Sequence, residues 1–211
     1  ASGFYLGLSA TTSTGTYGTT SLALAAPATQ VLGKDFEFPN TLEGMPARLS
    51  DVKGLQIKHF ETSDSVNLSY WEAGSGKPLV IIPGWSASGA EFINVIHLLG
   101  QHYHVYVLDP RNQGLSERVE HGMHIARYAM DVKEFGAHLG LKSADYLGWS
   151  MGASVIWSYI DLFGGKDIRK AVFVEWETQH SERWTTLLGL RYERVSMDAG
   201  AARGYNPTSN G

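Results

Sequence analysis

The 211-residue chain has no cysteine and carries a formal net charge of -4 at pH 7, from 17 basic and 21 acidic residues. With 43% hydrophobic and 18% charged residues, it suits a globular protein built around one core. The missing cysteines exclude disulfides and thiolate chemistry. The dispersed charges offer no basic stripe for nucleic acid and no polybasic membrane anchor, and no apolar run is long enough to span a bilayer.

Residues 1–50 differ from the rest of the chain in composition. Their first 30 residues are rich in Ser, Thr, Gly and Ala, and no charge precedes Lys34. The small residues of 21–28 favour a secretory leader, and hence a secreted or periplasmic protein. The weak apolar region and the lack of a basic start favour instead a disordered tail, or a remnant of expression, on a cytoplasmic protein. Residues 35–46 then continue as a connecting arm.

The strands begin at residue 55. Alternating apolar and polar residues predict an antiparallel hairpin formed by 55–62 and 65–72. Continuous apolar runs predict strands that are covered on both faces, at 79–82, 105–108, 144–147 and 171–174. Apolar residues at helical spacing separate the runs, at 92–99, 125–139 and 155–163. This alternation predicts an α/β fold, with a doubly wound, mainly parallel sheet and a site at the carboxyl ends of its strands.

The sequence Gly-Trp-Ser-Met-Gly at 148–152 joins a predicted strand to a predicted helix. Such a tight reversal forces Ser150 into a strained backbone conformation, and glycines at 148 and 152 let strand and helix approach each other. The helix start directs free N–H groups and a positive dipole end toward the serine oxygen. The pattern predicts a nucleophile, and the alternative is a glycine-flanked serine in an ordinary turn.

Three motifs in order resemble the α/β-hydrolase superfamily over residues 52–175. They are Pro-Gly-Trp-Ser at 83–86, Asp-Pro-Arg-Asn-Gln-Gly-Leu-Ser at 109–116, and the serine motif at 148–152. Within the superfamily, the residues of these motifs most resemble those of the cofactor-free haloperoxidase, perhydrolase and carboxylesterase branch. Pro110 and Asn112 depart from the second motif of that branch, which is usually Asp-Arg-Arg-Gly-x-Gly-x-Ser, and we expect this loop to be structural.

The resemblance implies Ser150 as the nucleophile, no cofactor, and an oxyanion hole made by the backbone N–H groups of Trp85 and Met151. Independently of the family, Pro83 and Gly84 end a buried strand at the same edge as Ser150, so the next amides face the site. The alternative for Trp85 is a side chain that caps the core.

The acid and the base are harder to assign. In the superfamily the chain order is serine, acid, histidine, with the histidine after the last strand. Glu175 directly follows the strand 171–174 and is the candidate acid, as in relatives such as the haloalkane dehalogenases; the alternative is a hinge carboxylate. None of the histidines stands in the family position, although three lie in loops near the functional edge, namely His121, His124 and His180. No grouping of His, Asp and Glu has metal-site spacing.

Residues 176–211 show no further strand pattern. Their spacing predicts a partial cap helix at 184–190 and a polar tail, so residues 51–175 would form a hydrolase core that is incomplete at its C-terminal side. The edge of the strand 171–174 would then be open. We expect it to be covered by the chain's own tail, to pair with a second copy as a homodimer, or to aggregate.

Two functions stay open. The first is a serine hydrolase that cleaves an ester, a lactone or a related acyl substrate through an acyl-enzyme on Ser150. The alternative is a catalytically impaired or truncated hydrolase-fold protein that acts as a binding module, because no histidine stands in the family position. A dehalogenase is disfavoured, since its nucleophile would be an aspartate.

Overall fold

A computed structural model describes the backbone of residues 26–39, 43–181 and 184–193, and the side chains up to residue 174. Most of the leader-like segment therefore lies outside the described residues. Within them, eight strands form one sheet: Ala26–Pro27 (β1), Gln56–Glu61 (β2), Asn67–Gly74 (β3), Lys77–Ile82 (β4), Tyr103–Leu108 (β5), Ala144–Trp149 (β6), Ile168–Ser181 (β7) and Trp184–Glu193 (β8). The helices are Ala28–Val31 (α1), Ile93–Leu99 (α2), Ile125–His138 (α3) and Met151–Phe163 (α4).

The sheet has the order β1-β2-β3-β5-β4-β6-β7-β8. Its centre, β5-β4-β6-β7, is parallel, whereas β1, β2, β3 and β8 join by antiparallel pairing. The predicted α/β class, with a doubly wound sheet and an N-terminal hairpin, is confirmed. Because β4 and β6 are neighbours, their carboxyl ends place the segments after Ile82 and after Trp149 side by side.

Two apolar layers cover the sheet. In β4, Val80 and Ile82 point into the layer that contains α3 and α4, while Leu79 and Ile81 point into the layer that contains α2. This is the period-two alternation of a strand that is buried on both faces. All four side chains are buried, and each such burial stabilises the fold by about 1.5–3 kcal/mol. The continuous apolar run in the sequence has this physical cause.

The N-terminal arm contacts the core earlier than the sequence suggests. Ala28 is buried, and its N–H donates to the carbonyl oxygen of Leu55 at 3.1 Å. Glu37 and Arg48 form a bridge within the predicted connecting arm. A three-residue helical turn, Leu49–Asp51, then leads into the hairpin. The domain boundary near residue 50 stays a prediction.

The predicted cap helix at 184–190 is wrong, because these residues belong to β8. β8 pairs antiparallel with β7 from Ala171, opposite Glu193, to Ser181, opposite Trp184. A short segment whose apolar spacing suits both a helix and a strand takes the strand form when a neighbouring strand offers unpaired backbone groups. The chain itself therefore covers the edge of β7, which is one of the three outcomes expected. A homodimer stays a prediction and would need another edge.

Candidate active site

Ser150 lies at the turn between β6 and α4, as the sequence predicts. Its backbone has φ 53° and ψ -120°, and it precedes the 13-residue helix without bonding its side chain to the helix end. Its N–H donates to the carbonyl oxygen of Val174 at 3.0 Å, and its carbonyl oxygen accepts the N–H of Ala153 at 2.9 Å. Such a backbone costs on the order of 1–3 kcal/mol and persists only where neighbouring groups fix it. Ser150 as a whole residue is exposed to solvent.

Three glycines allow this geometry. A Cβ on Gly152 would overlap the carbonyl oxygen of Ile82 at the end of β4, and one on Gly148 would lie 2.7 Å from the nitrogen of Ala153. A Cβ on Gly84 would lie 2.9 Å from the Cβ of Ser150. The sequence predicts the roles of Gly148 and Gly152. The steric role of Gly84 has no signal in the sequence, since it depends on β4 and β6 being neighbours.

The two candidate oxyanion donors belong to the two segments that meet at Ser150, namely the start of α4 and the turn after β4. Met151 is the first residue of α4, where backbone N–H groups lack helical partners. Trp85 follows Gly84, which touches the serine turn. The Trp85 side chain is 68% exposed, so the alternative that it caps the core is wrong. The backbone of Trp85 lies in the turn that follows β4.

The segment after β5 begins with Asp109, which bonds to residues in three parts of the chain. The Asp109 carboxylate is fully buried and accepts three hydrogen bonds, from Gly89 N at 2.6 Å, Leu115 N at 2.9 Å and Trp71 Nε1 at 3.2 Å. Burial raises the pKa of Asp109 to about 6, against these donors. The residue thus joins β3, its own loop and the helical turn Gly89–Phe92.

Arg111 forms a second buried anchor. It is fully buried and donates two hydrogen bonds to Asp131, at 2.6 and 2.8 Å, and two to Asp64, at 3.0 and 3.2 Å. The Arg111 guanidinium holds the pKa of Asp64 well below its usual range. Arg111 therefore ties the β2–β3 turn to α3.

Asn112 departs from the motif of the similar branch for a visible reason. Its φ is 66°, a left-handed conformation that glycine adopts freely and asparagine tolerates. Its Oδ1 also accepts the N–H of Val119 at 2.7 Å. Asparagine can therefore stand where the similar branch usually has glycine, because it tolerates this backbone conformation.

Glu175 lies close to the serine turn along the backbone, since the carbonyl oxygen of the preceding Val174 accepts the Ser150 N–H. It does not end the strand, because β7 continues to Ser181. His180 is six residues beyond Val174 on β7, which corresponds to about 20 Å at roughly 3.3 Å per residue. The side chains of Glu175 and His180 lie outside the described residues.

The other candidate bases make their contacts away from the serine. His121 lies 3.6 Å from Asp64, and His124 accepts the N–H of Arg127 at the start of α3. Three further histidines contact other groups, namely His97 with Gly44 O, His104 with the Tyr106 hydroxyl and His138 with the Tyr70 hydroxyl. Among the described residues, no three His, Asp or Glu side chains gather as a metal site requires, and no helix is long and apolar enough to cross a bilayer.

Comparisons with known proteins agree with this geometry. A curated non-heme haloperoxidase of Rhodococcus erythropolis is 32% identical over 113 residues, covering 53% of this chain and 41% of the relative. A soluble epoxide hydrolase of Corynebacterium sp. is 32% identical over 120 residues, covering 56% and 41%. The solved structure of the esterase RhEst1 from Rhodococcus sp. matches with a TM-score of 0.53 and 32% identity, covering 56% of this chain and 45% of that one.

The chain therefore spans about two fifths of the length of these curated relatives. The sequence profile described as alpha/beta hydrolase fold matches residues 77–190. This range is more than half of the chain and runs from β4 into β8. With the serine turn, the flanking strands and the helix in the family order, the chain belongs to the alpha/beta hydrolase fold family.

Proposed function

We propose that the protein hydrolyses an ester, a lactone or a related acyl substrate through an acyl-enzyme on Ser150. The observation that carries the proposal is the strained, exposed Ser150 at the start of α4, touched by Gly84 of the neighbouring strand end. Strain at a solvent-facing serine is of the kind found where a nucleophile is held for reaction. The esterases and the haloperoxidase among its relatives support hydrolase chemistry of this class.

In the proposed reaction, the Ser150 hydroxyl gives up its proton and its oxygen forms a bond to the acyl carbon, while the carbonyl electrons move onto the carbonyl oxygen and the proton passes on to the leaving alcohol oxygen. The backbone N–H groups of Trp85 and Met151 then donate to this oxyanion. Its collapse expels the alcohol and leaves an acyl-serine ester, which water cleaves in a second step. Loss of one such donor typically lowers the rate by about 100-fold to 1000-fold.

An epoxide is the competing substrate class, because an epoxide hydrolase is among the relatives. Attack of a serine oxygen on an epoxide carbon would form an ether, which water does not cleave under mild conditions. Attack on an acyl carbon forms an ester, which water can cleave. A serine nucleophile therefore favours acyl substrates.

A second candidate function is a binding module that holds acyl ligands at the same site without turnover. It is favoured by one observation, namely that the hydrogen bonds of the described histidines go to groups other than Ser150. In enzymes from which triad residues have been removed, the remaining rate is only about 1000-fold above that of the reaction in water.

For the hydrolase, Glu175 remains the proposed acid, because it follows Val174, the residue whose carbonyl oxygen accepts the Ser150 N–H.

Covalent labelling with a fluorophosphonate tests the nucleophile. We expect one adduct per chain on Ser150 by peptide mass spectrometry, and no adduct in Ser150→Ala. Ser65→Ala is the matched control, because Ser65 is also exposed and has a positive φ of 61°, but lies in the β2–β3 turn. Labelling that survives Ser150→Ala would overturn the assignment.

Turnover of p-nitrophenyl acetate separates the two functions. A hydrolase releases many equivalents of p-nitrophenol per chain, whereas a binding module releases one equivalent or none. Glu175→Gln should lower turnover at least 10-fold if Glu175 is the acid. Glu177→Gln is its control, two residues further along the same strand.

A further inference from the structure

The proposed oxyanion loop, residues 84–89, is fixed at both of its ends. At one end Gly84 touches Ser150. At the other end a Cβ on Gly89 would overlap the indole ring of Trp71, so Gly89 lies flat against that buried side chain. Between these ends the N–H of Ala87 donates to the carbonyl oxygen of Gly84 at 3.3 Å, and the N–H and hydroxyl of Ser88 donate to Oε2 of Glu91 at 2.8 and 2.7 Å. The position of the Trp85 N–H therefore depends on how Gly89 and the adjacent Ser88 are held.

Gly89 is held by Asp109. Its N–H donates to Oδ1 of Asp109 at 2.6 Å, the shortest of the three bonds to that carboxylate. The other two donors, Trp71 Nε1 and Leu115 N, both use Oδ2. Oδ1 thus bonds to the oxyanion loop, whereas Oδ2 bonds to β3 and to the loop after β5.

We propose that Asp109 is a positioning residue, whose carboxylate sets the place of the Trp85 N–H by holding Gly89. The inference deepens the proposed function and rests on it, since it assigns Asp109 to the support of a proposed oxyanion donor. Asp109 touches no reacting atom. Loss of its negative charge should loosen the loop at Gly89 while Gly84 stays against Ser150.

When Asp109 takes up a proton, we expect the proton to bind Oδ1, the oxygen that accepts the N–H of Gly89. Oδ2 already accepts two N–H groups, whereas Oδ1 accepts one and has more room for a proton. Protonation of Oδ1 weakens it as an acceptor for Gly89. Because burial raises the pKa of Asp109 to about 6, this change falls in an accessible pH range.

Glu91 is the charged neighbour of Asp109 that also touches the oxyanion loop, because its carboxylate accepts the N–H and the hydroxyl of Ser88 next to Gly89. Glu91, on the helical turn, raises the pKa of Asp109 further. Glu117 bonds to Asn67 N, and Arg118 donates to the carbonyl oxygens of Gly114 and Ser116. Two other charged neighbours along the chain are turned to other partners, Arg111 to Asp64 and Asp131, and Glu72 to Lys58.

The test begins with the wild-type chain labelled with [15N]glycine. We expect the Gly89 amide resonance to titrate with a midpoint near pH 6 and to stop titrating in Asp109→Asn. Glu117→Gln is the matched control, because it removes a carboxylate from the same loop without touching Gly89. A Gly89 amide that exchanges with solvent without protection at pH 7 in the wild type overturns the proposal, because the hydrogen bond to Asp109 would then be absent, and this measurement needs no variant to fold.

The second readout is the rate of fluorophosphonate labelling at pH 7.5. Asp109→Asn should lower the maximal labelling rate by about 10-fold with little change in the concentration that gives half of it, and Glu117→Gln should change neither. An unchanged maximal rate in a folded Asp109→Asn overturns the positioning role.

If the wild type itself is not labelled, the proposed function fails. Hydrogen exchange of the residue 85–89 amides then decides the inference alone. Faster exchange in Asp109→Asn than in Glu117→Gln supports it, and equal exchange overturns it.

Discussion

Gly152, in the first turn of α4, lies directly against the backbone carbonyl of Ile82 at the end of β4. The helix that carries the candidate nucleophile is thus seated on the strand that leads to Trp85. We predict that Gly152→Ala lowers the free energy of unfolding by about 1–3 kcal/mol, because the added methyl group meets backbone that cannot move aside. It should also abolish fluorophosphonate labelling, since Ser150 shifts with the helix.

Gly136, inside α3, is the control for this substitution. It is also a helical glycine, but a Cβ there has only the Tyr146 hydroxyl as a neighbour, at an ordinary 3.8 Å. Gly136→Ala should leave labelling intact and stabilise the protein by up to about 1 kcal/mol, because alanine is the better helix former. Urea unfolding measures both changes. Equal effects of the two substitutions would contradict the steric account.

The two carboxylate partners of the buried Arg111 differ in burial, so we predict that their substitutions lower stability by different amounts. Asp131, 1% exposed, is its more buried partner, while the Asp64 side chain is 28% exposed. Asp131→Asn should be the more destabilising change, by up to about 3–5 kcal/mol, because it removes the buried counter-charge of Arg111 and leaves only the more exposed Asp64. Asp64→Asn should cost less, since water can replace the lost carboxylate. Denaturant midpoints for both variants, with exposed Asp161→Asn as the control, check the order.

Substitutions of Asn112 separate the contribution of its side-chain hydrogen bond to stability from that of its left-handed backbone conformation. Asn112→Ala loses the bond to the Val119 N–H and places alanine at φ 66°. We predict a loss of about 1–2 kcal/mol in the free energy of unfolding. Asn112→Gly should recover part of this loss, because glycine adopts the conformation without strain. If both variants lose the same amount, the backbone conformation contributes nothing measurable.

Asp109 makes stability depend on pH in an unusual direction. Its folded pKa of about 6 lies above the ordinary value of 3.8, so the folded state favours the protonated form. Its contribution to stability is fully present below pH 3.8 and is lost as the pH rises through about 6. At about 1.4 kcal/mol per pKa unit, the loss is on the order of 3 kcal/mol.

The difference between wild type and Asp109→Asn isolates this contribution. Burial lowers the pKa of three histidines, His59, His104 and His138. These residues act in the opposite direction, because their stabilisation is lost as the pH falls through the same range. Urea unfolding of both proteins between pH 4 and 8 should show the difference growing toward high pH in favour of the variant. A constant difference would contradict a raised Asp109 pKa.

The sequence predicts well what is decided locally. The turn at Ser150 follows from five consecutive residues between a strand and a helix, and the strands β4 to β6 follow from apolar runs. The contacts that hold the site are non-local. Gly89 is 20 residues from Asp109 and 18 from Trp71 in the chain, so no local pattern joins them. The sequence does not predict the strand β8 for the same reason, since only its pairing with β7 decides its form.

The opposite edge of the sheet illustrates how a fold discourages unwanted association. β1, the outermost strand there, is only two residues long, and Pro27 has no N–H to offer another chain. It covers Gln56 and Ile57, and the rest of β2 carries Lys58 and Glu61, whose charges oppose the docking of an apolar strand. Within residues 26–39, 43–181 and 184–193, this side therefore offers no long, uncharged ladder to a foreign strand. Removal of residues 26–31 should expose two further residues of β2 and make the protein more prone to aggregate.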